Sequence, residues 1–309
     1  MDYFLLLAGL TLLMLGGKYL VRGSASLALL LNMPPLLIGV TVVAFGTSAP
    51  ELLVSAKAAL TGHQDIATGN VIGSNITNIG LVLSITAILI VIPVKVTTIK
   101  FDWPVMMFSG LLLLLFSLNG QIEFYEGLVF TILLVAFVFF SFKKAKNQQQ
   151  VAADVPSGAD KPVWIFVFIL GGCIGLAIGA DWLVRGASSL AEQFGISERV
   201  ISISMVAVGT SLPELITSII AVSKKETDIS VGNIIGSNIF NTLAVLGISG
   251  LITNIPVNPE MLAFDIPAML ALSLLLFVFI LPLKGGALNR WKGIVLLLCY
   301  IAYIYLLVK

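Results

Sequence analysis

Ten stretches of this 309-residue chain are apolar over close to the length a helix needs to cross a bilayer, about 20 residues. They fall near 3–17, 34–60, 66–94, 103–118, 124–142, 163–183, 199–223, 229–252, 262–283 and 291–308. Such runs predict an all-α integral membrane protein of ten transmembrane helices, since a helix satisfies its backbone polar groups internally when lipid surrounds it. Composition agrees: 58% of residues are hydrophobic and 11% charged, where an average soluble domain has about half and about a quarter. The first run is short unless its helix continues past Lys18 and Arg22 toward Leu31. Met1-Asp2-Tyr3 offers no basic start, which argues against a cleaved signal peptide.

Lys and Arg are retained on the cytoplasmic side of short loops. With ten spans both termini share a side, and placing them outside puts 13 of the 17 basic residues in inner connections, leaving Lys57, Arg185, Arg199 and Lys309 outside. The expectation is a cell-membrane protein with both termini outside. The polar stretch around 143–162, with Gln148, Asp154, Pro156 and Gly158, cannot bury enough apolar area to fold alone and reads as a cytoplasmic linker between units 1–142 and 163–309. A net charge of +1 gives no reason to expect a nucleic-acid partner, and no obligate protein partner is evident. Cys173 and Cys299 sit in apolar runs and read as small hydrophobes rather than a disulfide or metal pair.

Sliding the sequence by 163 positions aligns residues 20–80 with 183–243 without a gap, and 28 of those 61 pairs are identical. The matches are mostly polar or glycine, so shared hydrophobicity does not produce them. They include Gly46-Thr47-Ser48 with Gly209-Thr210-Ser211, Pro50-Glu51 with Pro213-Glu214, and Gly73-Ser74-Asn75 with Gly236-Ser237-Asn238. Each half holds five spans, an odd number, so equivalent helices cross in opposite directions and the two five-helix repeats are inverted. Secondary transporters with this architecture bind substrate near the midplane, where broken helices of the two halves meet.

Glu51 and Glu214 lie within long apolar stretches, where a charge costs at least ~2.5 to 3.5 kcal/mol. Neither has a Lys or Arg within a helix turn, which leaves a cation or a proton as partner. Pro50 and Pro213 cannot donate to Gly46 and Gly209 and clash with those carbonyls, so each helix is expected to open there. Backbone oxygens of Ala44, Thr47, Ala207 and Thr210 then become available, and Ser48 and Ser211 lie three residues before the glutamates on the same face. Asn70, Ser74 and Asn78, repeated as Asn233, Ser237 and Asn241, form a polar stripe at four-residue spacing. Ligation is the expected role of Ser74, Asn78, Ser237 and Asn241. Asn70 and Asn233 suit interhelical hydrogen bonding equally well. Gly69, Gly73, Gly232 and Gly236 give the small-x-x-x-small spacing of close helix contacts. An all-oxygen donor set without His or Cys suits hard cations, and calcium accepts six to eight oxygens in flexible arrangements.

These segments, Ala44-Phe45-Gly46-Thr47-Ser48-Ala49-Pro50-Glu51 and Ala207-Val208-Gly209-Thr210-Ser211-Leu212-Pro213-Glu214, are each followed by a Gly-Asn-x-x-Gly-Ser-Asn helix. They closely resemble the alpha repeats of the calcium/cation antiporter superfamily, in particular the prokaryotic sodium/calcium exchangers. The resemblance implies a diamond of ion sites with Glu51 and Glu214 as shared calcium and sodium ligands. It implies that backbone oxygens of Thr47 and Thr210 join the calcium site. Ala44 and Ala207 carbonyls with Ser48, Ser74, Ser211 and Ser237 would line flanking sodium sites, and Asn78 and Asn241 the middle. Some relatives carry aspartate at the position of Asn241; two acids rather than three argue against potassium cotransport. The short linker also lacks room for the regulatory calcium-binding domains of animal exchangers.

The expected activity is therefore antiport of sodium and calcium, with those ions and the lipid bilayer as the only partners and no cofactor. Calcium/proton antiport is the nearest alternative, since a glutamate pair suits protons too. A cation channel needs no inverted pair within one chain. An enzyme finds no support: the one histidine, His63, falls in a loop, and no His-Glu-x-x-His pattern is present.

Overall fold

The computed structural model describes residues 2–148, 160–193, 209–281 and 286–308. Among the described residues the regular structure is helical apart from four two-residue strands. In order the helices are α1 (Asp2–Leu30), α2 (Pro35–Thr47), α3 (Ala49–Thr61), α4 (Asp65–Leu89), α5 (Thr98–Asn119), α6 (Phe124–Gln148), α7 (Pro162–Gln193), α8 (Leu212–Ser223), α9 (Thr227–Ile252), α10 (Met261–Ile280) and α11 (Arg290–Val308). Among the described residues eight helices are long and apolar enough to cross a membrane, or nine if α2 and α3, bent by 44°, form one broken span. The run expected over 199–223 appears as the 12-residue α8; its first part lies outside the described residues.

Several helices outrun their apolar stretches. The first continues through Lys18 and Arg22 to Leu30, α6 passes Lys143 to reach Gln148, and α7 extends to Gln193. Seven residues read as linker, 143–148 and Pro162, are thus helical. Hydropathy marks only the part of a helix that lipid or protein must cover, and long basic side chains at its ends reach toward water. The opposite correction applies to the run at 66–94. Its helix stops at Leu89, Ile90 turns extended, and Pro93 lies in a strand because it cannot continue the helix. Near the end of the stretch read as linker, Asp160 accepts hydrogen bonds from Arg22 Nε at 2.9 Å and Nη2 at 2.7 Å and from Ser26 Oγ at 3.0 Å. The guanidinium holds its carboxyl below the usual aspartate range.

The longest contact in the molecule joins α1 to α7. Gly9, Gly16 and Gly23 recur every seven residues, and Gly172, Gly179 and Gly186 are their counterparts 163 positions on. A Cβ on Gly16 would lie 2.7 Å from the Leu176 amide nitrogen and 2.9 Å from the Gly172 carbonyl; one on Gly9 would meet Leu183 and Gly179 equally closely. Backbone therefore rests on backbone, as small residues permit. Since Gly9 faces Gly179 and Gly16 faces Gly172, these equivalent helices run antiparallel.

The strands tie the halves together elsewhere. Ile92–Pro93 (β1) pairs antiparallel with Ala287–Leu288 (β4), and Gln121–Ile122 (β2) with Ile255–Pro256 (β3). Inside, α4 and α9 are the central helices, with 78% and 89% of their apolar windows buried against 22% for α6 and α11. A Cβ on Gly232 would meet the Leu36 carbonyl at 2.7 Å and one on Gly236 the Val40 carbonyl at 2.6 Å, so α2 lies directly on α9. Between α4 and α9, Asn75 Nδ2 donates to Thr242 Oγ1 at 3.0 Å and Asn78 Nδ2 to Asn238 Oδ1 at 3.1 Å.

The glycine contact makes a selective prediction. Gly172→Ala forces a methyl against the Leu20 amide nitrogen at 2.7 Å, whereas a Cβ on Gly171, one residue away, meets nothing within 4 Å. Overpacking costs typically about 1–3 kcal/mol, while Ala for Gly in an open helical position gains about 0.5–1 kcal/mol. Thermal unfolding in detergent, followed by circular dichroism, should show a lower melting temperature for Gly172→Ala and an unchanged or higher one for Gly171→Ala. Equal stability of the two variants would contradict the contact.

Candidate ion-binding site

The helix breaks expected from Pro50 and Pro213 are present, two residues earlier than each proline. Ser48 has φ −86°, ψ 3° and Ser211 φ −88°, ψ 3°, and a new helix starts after each. Pro50 and Pro213 take the second position of α3 and α8, where a missing N–H is harmless. The Ala44 carbonyl keeps a helical partner, the Ser48 amide at 2.9 Å. Each break puts a glutamate third in its helix, at the positive end of the helix dipole, which favours negative charge.

Both glutamates are fully buried, with 0% of their surface exposed. Glu214 Oε1 accepts hydrogen bonds from Ser48 Oγ at 3.1 Å and Ser237 Oγ at 3.3 Å. The other Glu214 oxygen and both Glu51 oxygens have no hydrogen-bond partner. Thr47 Oγ1 lies 2.9 Å from Asn233 Oδ1 and 3.3 Å from both Ala44 O and Ser237 Oγ. The matching pair across the repeat is Ser74 Oγ with Thr210 Oγ1 at 3.1 Å. Every one of these contacts except that of Thr47 with Ala44 joins different helices, and Ser48, Thr47 and Ser74 reach into the other half.

Further unpaired oxygens belong to the same buried group. Asn78 Oδ1, Asn241 Oδ1 and Ser211 Oγ are buried without partners, as is Asn241 Nδ2. Of the residues singled out in the sequence, Ala44, Thr47, Ser48, Glu51, Ser74, Asn78, Glu214, Ser211, Ser237 and Asn241 are all buried. Thr210 joins them through its bond to Ser74, and Ala207 lies outside the described residues. Asn78 and Asn241 each open a π-helical turn, over Asn78–Leu83 and Asn241–Val245, a distortion frequent at functional sites.

The asparagines two turns earlier make interhelical hydrogen bonds. Asn70 Nδ2 donates to Ser55 Oγ at 3.0 Å and the Glu51 carbonyl at 3.2 Å, and Asn233 Nδ2 donates to Ser218 Oγ at 3.2 Å. Both amide nitrogens brace the glutamate helices against α4 and α9. Ser55 and Ser218 were not singled out from the sequence, although they form one of the identical pairs of the repeat. Asn75, Asn238 and Thr242 were also missed; they fall off the four-residue stripe, Asn75 bonds both partners across the α4–α9 interface, and Thr242 donates to the Asn238 carbonyl within α9.

Among the described residues no basic side chain forms an ion pair with either glutamate. The described ion pairs are Arg22–Asp160, Lys95–Asp228 and Arg185–Asp181, all away from the glutamates. Two carboxylates, hydroxyls and amide oxygens at membrane depth make a donor set for hard cations. His63 is an exposed loop residue, and Cys173 and Cys299 are free thiols.

Comparison with known proteins agrees with this chemistry along the whole chain. The family described as sodium/calcium exchanger protein matches residues 1–143 and 164–309. CaxA, a protein of Alkalimonas amylolytica, is 40% identical over 97% of this chain and 97% of its own. The sodium/calcium exchanger MaX1 of Methanosarcina acetivorans is 33% identical over 99% of this chain and 98% of its own. Among solved structures, the sodium-calcium exchanger NCX_Mj superposes with a TM-score of 0.84 at 33% identity, covering 98% of this chain and 97% of that one. With its two buried glutamates in repeated motifs, this chain belongs to the sodium/calcium exchanger protein family.

Proposed function

We propose that the protein is a secondary active antiporter that exchanges sodium for calcium by alternating access, with Glu51 and Glu214 as ligands that both ions share. The observation that carries this reading is the pair of fully buried carboxylates, three of whose four oxygens lack a hydrogen-bond partner and neither of which forms an ion pair among the described residues. Calcium bound between them cancels both charges; sodium ions at the surrounding hydroxyls do the same, so occupancy is mutually exclusive. Ser48, Ser74, Ser211 and Ser237 supply the neutral oxygens of the flanking sodium positions, with the Ala44 and Ala207 carbonyls. Thr47 and Thr210 contribute backbone oxygens to calcium, and Asn78 and Asn241 line the middle. The structures of the relative NCX_Mj soaked with sodium, calcium or strontium support the same ion classes.

Ten spans in two inverted five-helix repeats form the frame of this reading, with both termini outside and the linker in the cytoplasm. The antiparallel course of α1 and α7 supports the inversion. Their contact is glycine on backbone at Gly9 and Gly16, with Tyr19 stacked on Phe168 toward one end, and as equivalent first helices of the two repeats they are the pair assigned to move. An empty, doubly charged site resists passage through the apolar intermediate, whereas a neutralised one does not. Exchange is then obligatory.

Reconstituted in sealed liposomes, the protein should take up calcium against an outward sodium gradient at fixed pH with the proton gradient collapsed. Glu51→Gln and Glu214→Gln should each abolish that uptake while the protein stays folded, since volume and hydrogen bonding survive and only charge is lost. Uptake that ignores sodium and follows an imposed proton gradient would establish calcium/proton antiport instead. Topology is tested with Lys146→Cys and Asn254→Cys in a Cys173→Ala, Cys299→Ala background. An impermeant thiol reagent should reach the first from the cytoplasmic side and the second from outside; labelling of both from one side would overturn the ten-span arrangement.

A further inference from the structure

A cavity of about 220 Å³ lies between α4, α10 and α11. One wall belongs to the ion site: Asn70 and Ser74 line it, with Thr77 one turn further. The facing wall carries Asp265 and Tyr303. Asp265 is half-buried, and its Oδ1 accepts a hydrogen bond from the Tyr303 hydroxyl at 2.9 Å. None of the described lining residues is Lys, Arg or His, and Asp265 takes part in none of the described ion pairs. Glu260, just before α10, adds a second carboxylate on that side.

One polar atom of this lining stands without a partner among the described residues, the Asn70 side-chain oxygen. Asn70 is 2% exposed; its amide nitrogen is used in bracing α3, and its Oδ1 is buried with no partner. The two repeats differ here. On α9 the glycines Gly232 and Gly236 are covered by α2, and the repeat counterpart of Asp265, Asp102, lines a separate pocket with Lys95 and Lys144 that does not reach Ser237. On α4, a Cβ at Gly69 would touch only the Met261 methyl at 3.4 Å, and one at Gly73 meets nothing within 4 Å among the described residues. An acid that in one half sits beside two lysines therefore, in the other, shares a cavity with the site itself.

We propose that this cavity is a cation antechamber, in which the Asp265 carboxylate collects the ion and hands it to Asn70 and Ser74. The proposal rests on the antiport reading for its purpose but not for its chemistry. A carboxylate in a low-dielectric cleft raises the local concentration of cations and their rate of arrival. Tyr303 holds the carboxylate in place with a neutral donor, which leaves its charge intact. Asp265 is a capture residue: it sets how well dilute ion is collected and leaves the rate of the loaded transporter alone.

Two measurements on the full-length protein decide it. In liposomes, Asp265→Asn, which keeps shape and hydrogen-bond acceptance, should raise the half-saturating calcium concentration several-fold at low ionic strength, with the maximal rate within about twofold of the parent. The shift should shrink in high choline chloride as the carboxylate is screened, and Asp265→Glu should restore the parent value. An unaltered half-saturation, or a loss of maximal rate alone, would overturn the proposal. The second measurement is independent of transport. Terbium, a luminescent calcium surrogate, is titrated against a Glu51→Gln, Glu214→Gln double variant, where a weak site near Tyr303 should remain and should vanish on adding Asp265→Asn. Residual binding unchanged by that substitution would sink the antechamber. Absence of calcium uptake by the parent would refute the antiport reading alone, leaving terbium binding to decide the role of Asp265.

Discussion

Two carboxylates buried together without a basic partner are the constraint on which the rest of this molecule depends. Each would cost several kcal/mol if left charged and unsolvated in the membrane interior, and the surrounding structure reads as a set of responses to that cost. The helix breaks at Ser48 and Ser211 put Glu51 and Glu214 at helix starts. Ser48 and Ser237 donate to Glu214, and Asn70 and Asn233 pin the glutamate helices to α4 and α9. What protein groups leave unsatisfied, both oxygens of Glu51, one of Glu214 and those of Asn78, Asn241 and Ser211, is what cations can complete.

The site is also inseparable from the pairing of the halves. Ser48 belongs to the first repeat and Glu214 to the second; Ser74 and Thr210 cross the same boundary in the opposite sense. Glycines let this interleaving occur. Gly232 and Gly236 admit the backbone of α2 onto α9, and the heptad of glycines between α1 and α7 lets equivalent helices touch along their length. A methyl group at Gly232 or Gly236 would push apart elements that carry the candidate ligands, and one at Gly9 or Gly16 would separate α1 from α7. Packing and ion binding thus draw on the same repeated residues, which explains why the motifs are dense in glycine, serine and asparagine.

Symmetry is broken in the surroundings of the two repeat-related aspartates. Asp102 and Asp265 are repeat counterparts, yet Asp102 is 6% exposed in a pocket with Lys95 and Lys144, while Asp265 is held by Tyr303 in a cavity that reaches Asn70 and Ser74. The sequence match at Phe101-Asp102 and Phe264-Asp265 gave no hint of this. Equal residues in unequal surroundings acquire unequal roles, and surroundings come from distant segments.

By itself the sequence determined the membrane class, the repeat and the identity of the buried acids, because each depends on local information. A run of apolar residues needs lipid or protein cover whatever its neighbours, a proline removes a backbone donor wherever it stands, and a glutamate within such a run demands a partner. It also located Ser48, Ser74, Ser211 and Ser237 through spacing and repetition. Helix ends were less legible, since hydropathy is silent on how far a helix extends beyond its apolar part, as at Lys18 and Lys143. Only the tertiary structure decided that Asn70 and Asn233 brace the helices through Ser55 and Ser218, that Asn75 bonds Thr242 across the centre, and that Asp265 rather than Asp102 shares a cavity with the site. Those outcomes depend on which residues are brought together, 15 positions apart for Asn70 with Ser55 and Asn233 with Ser218 but 167 for Asn75 with Thr242, and the contacts they form are set by packing that no local pattern records.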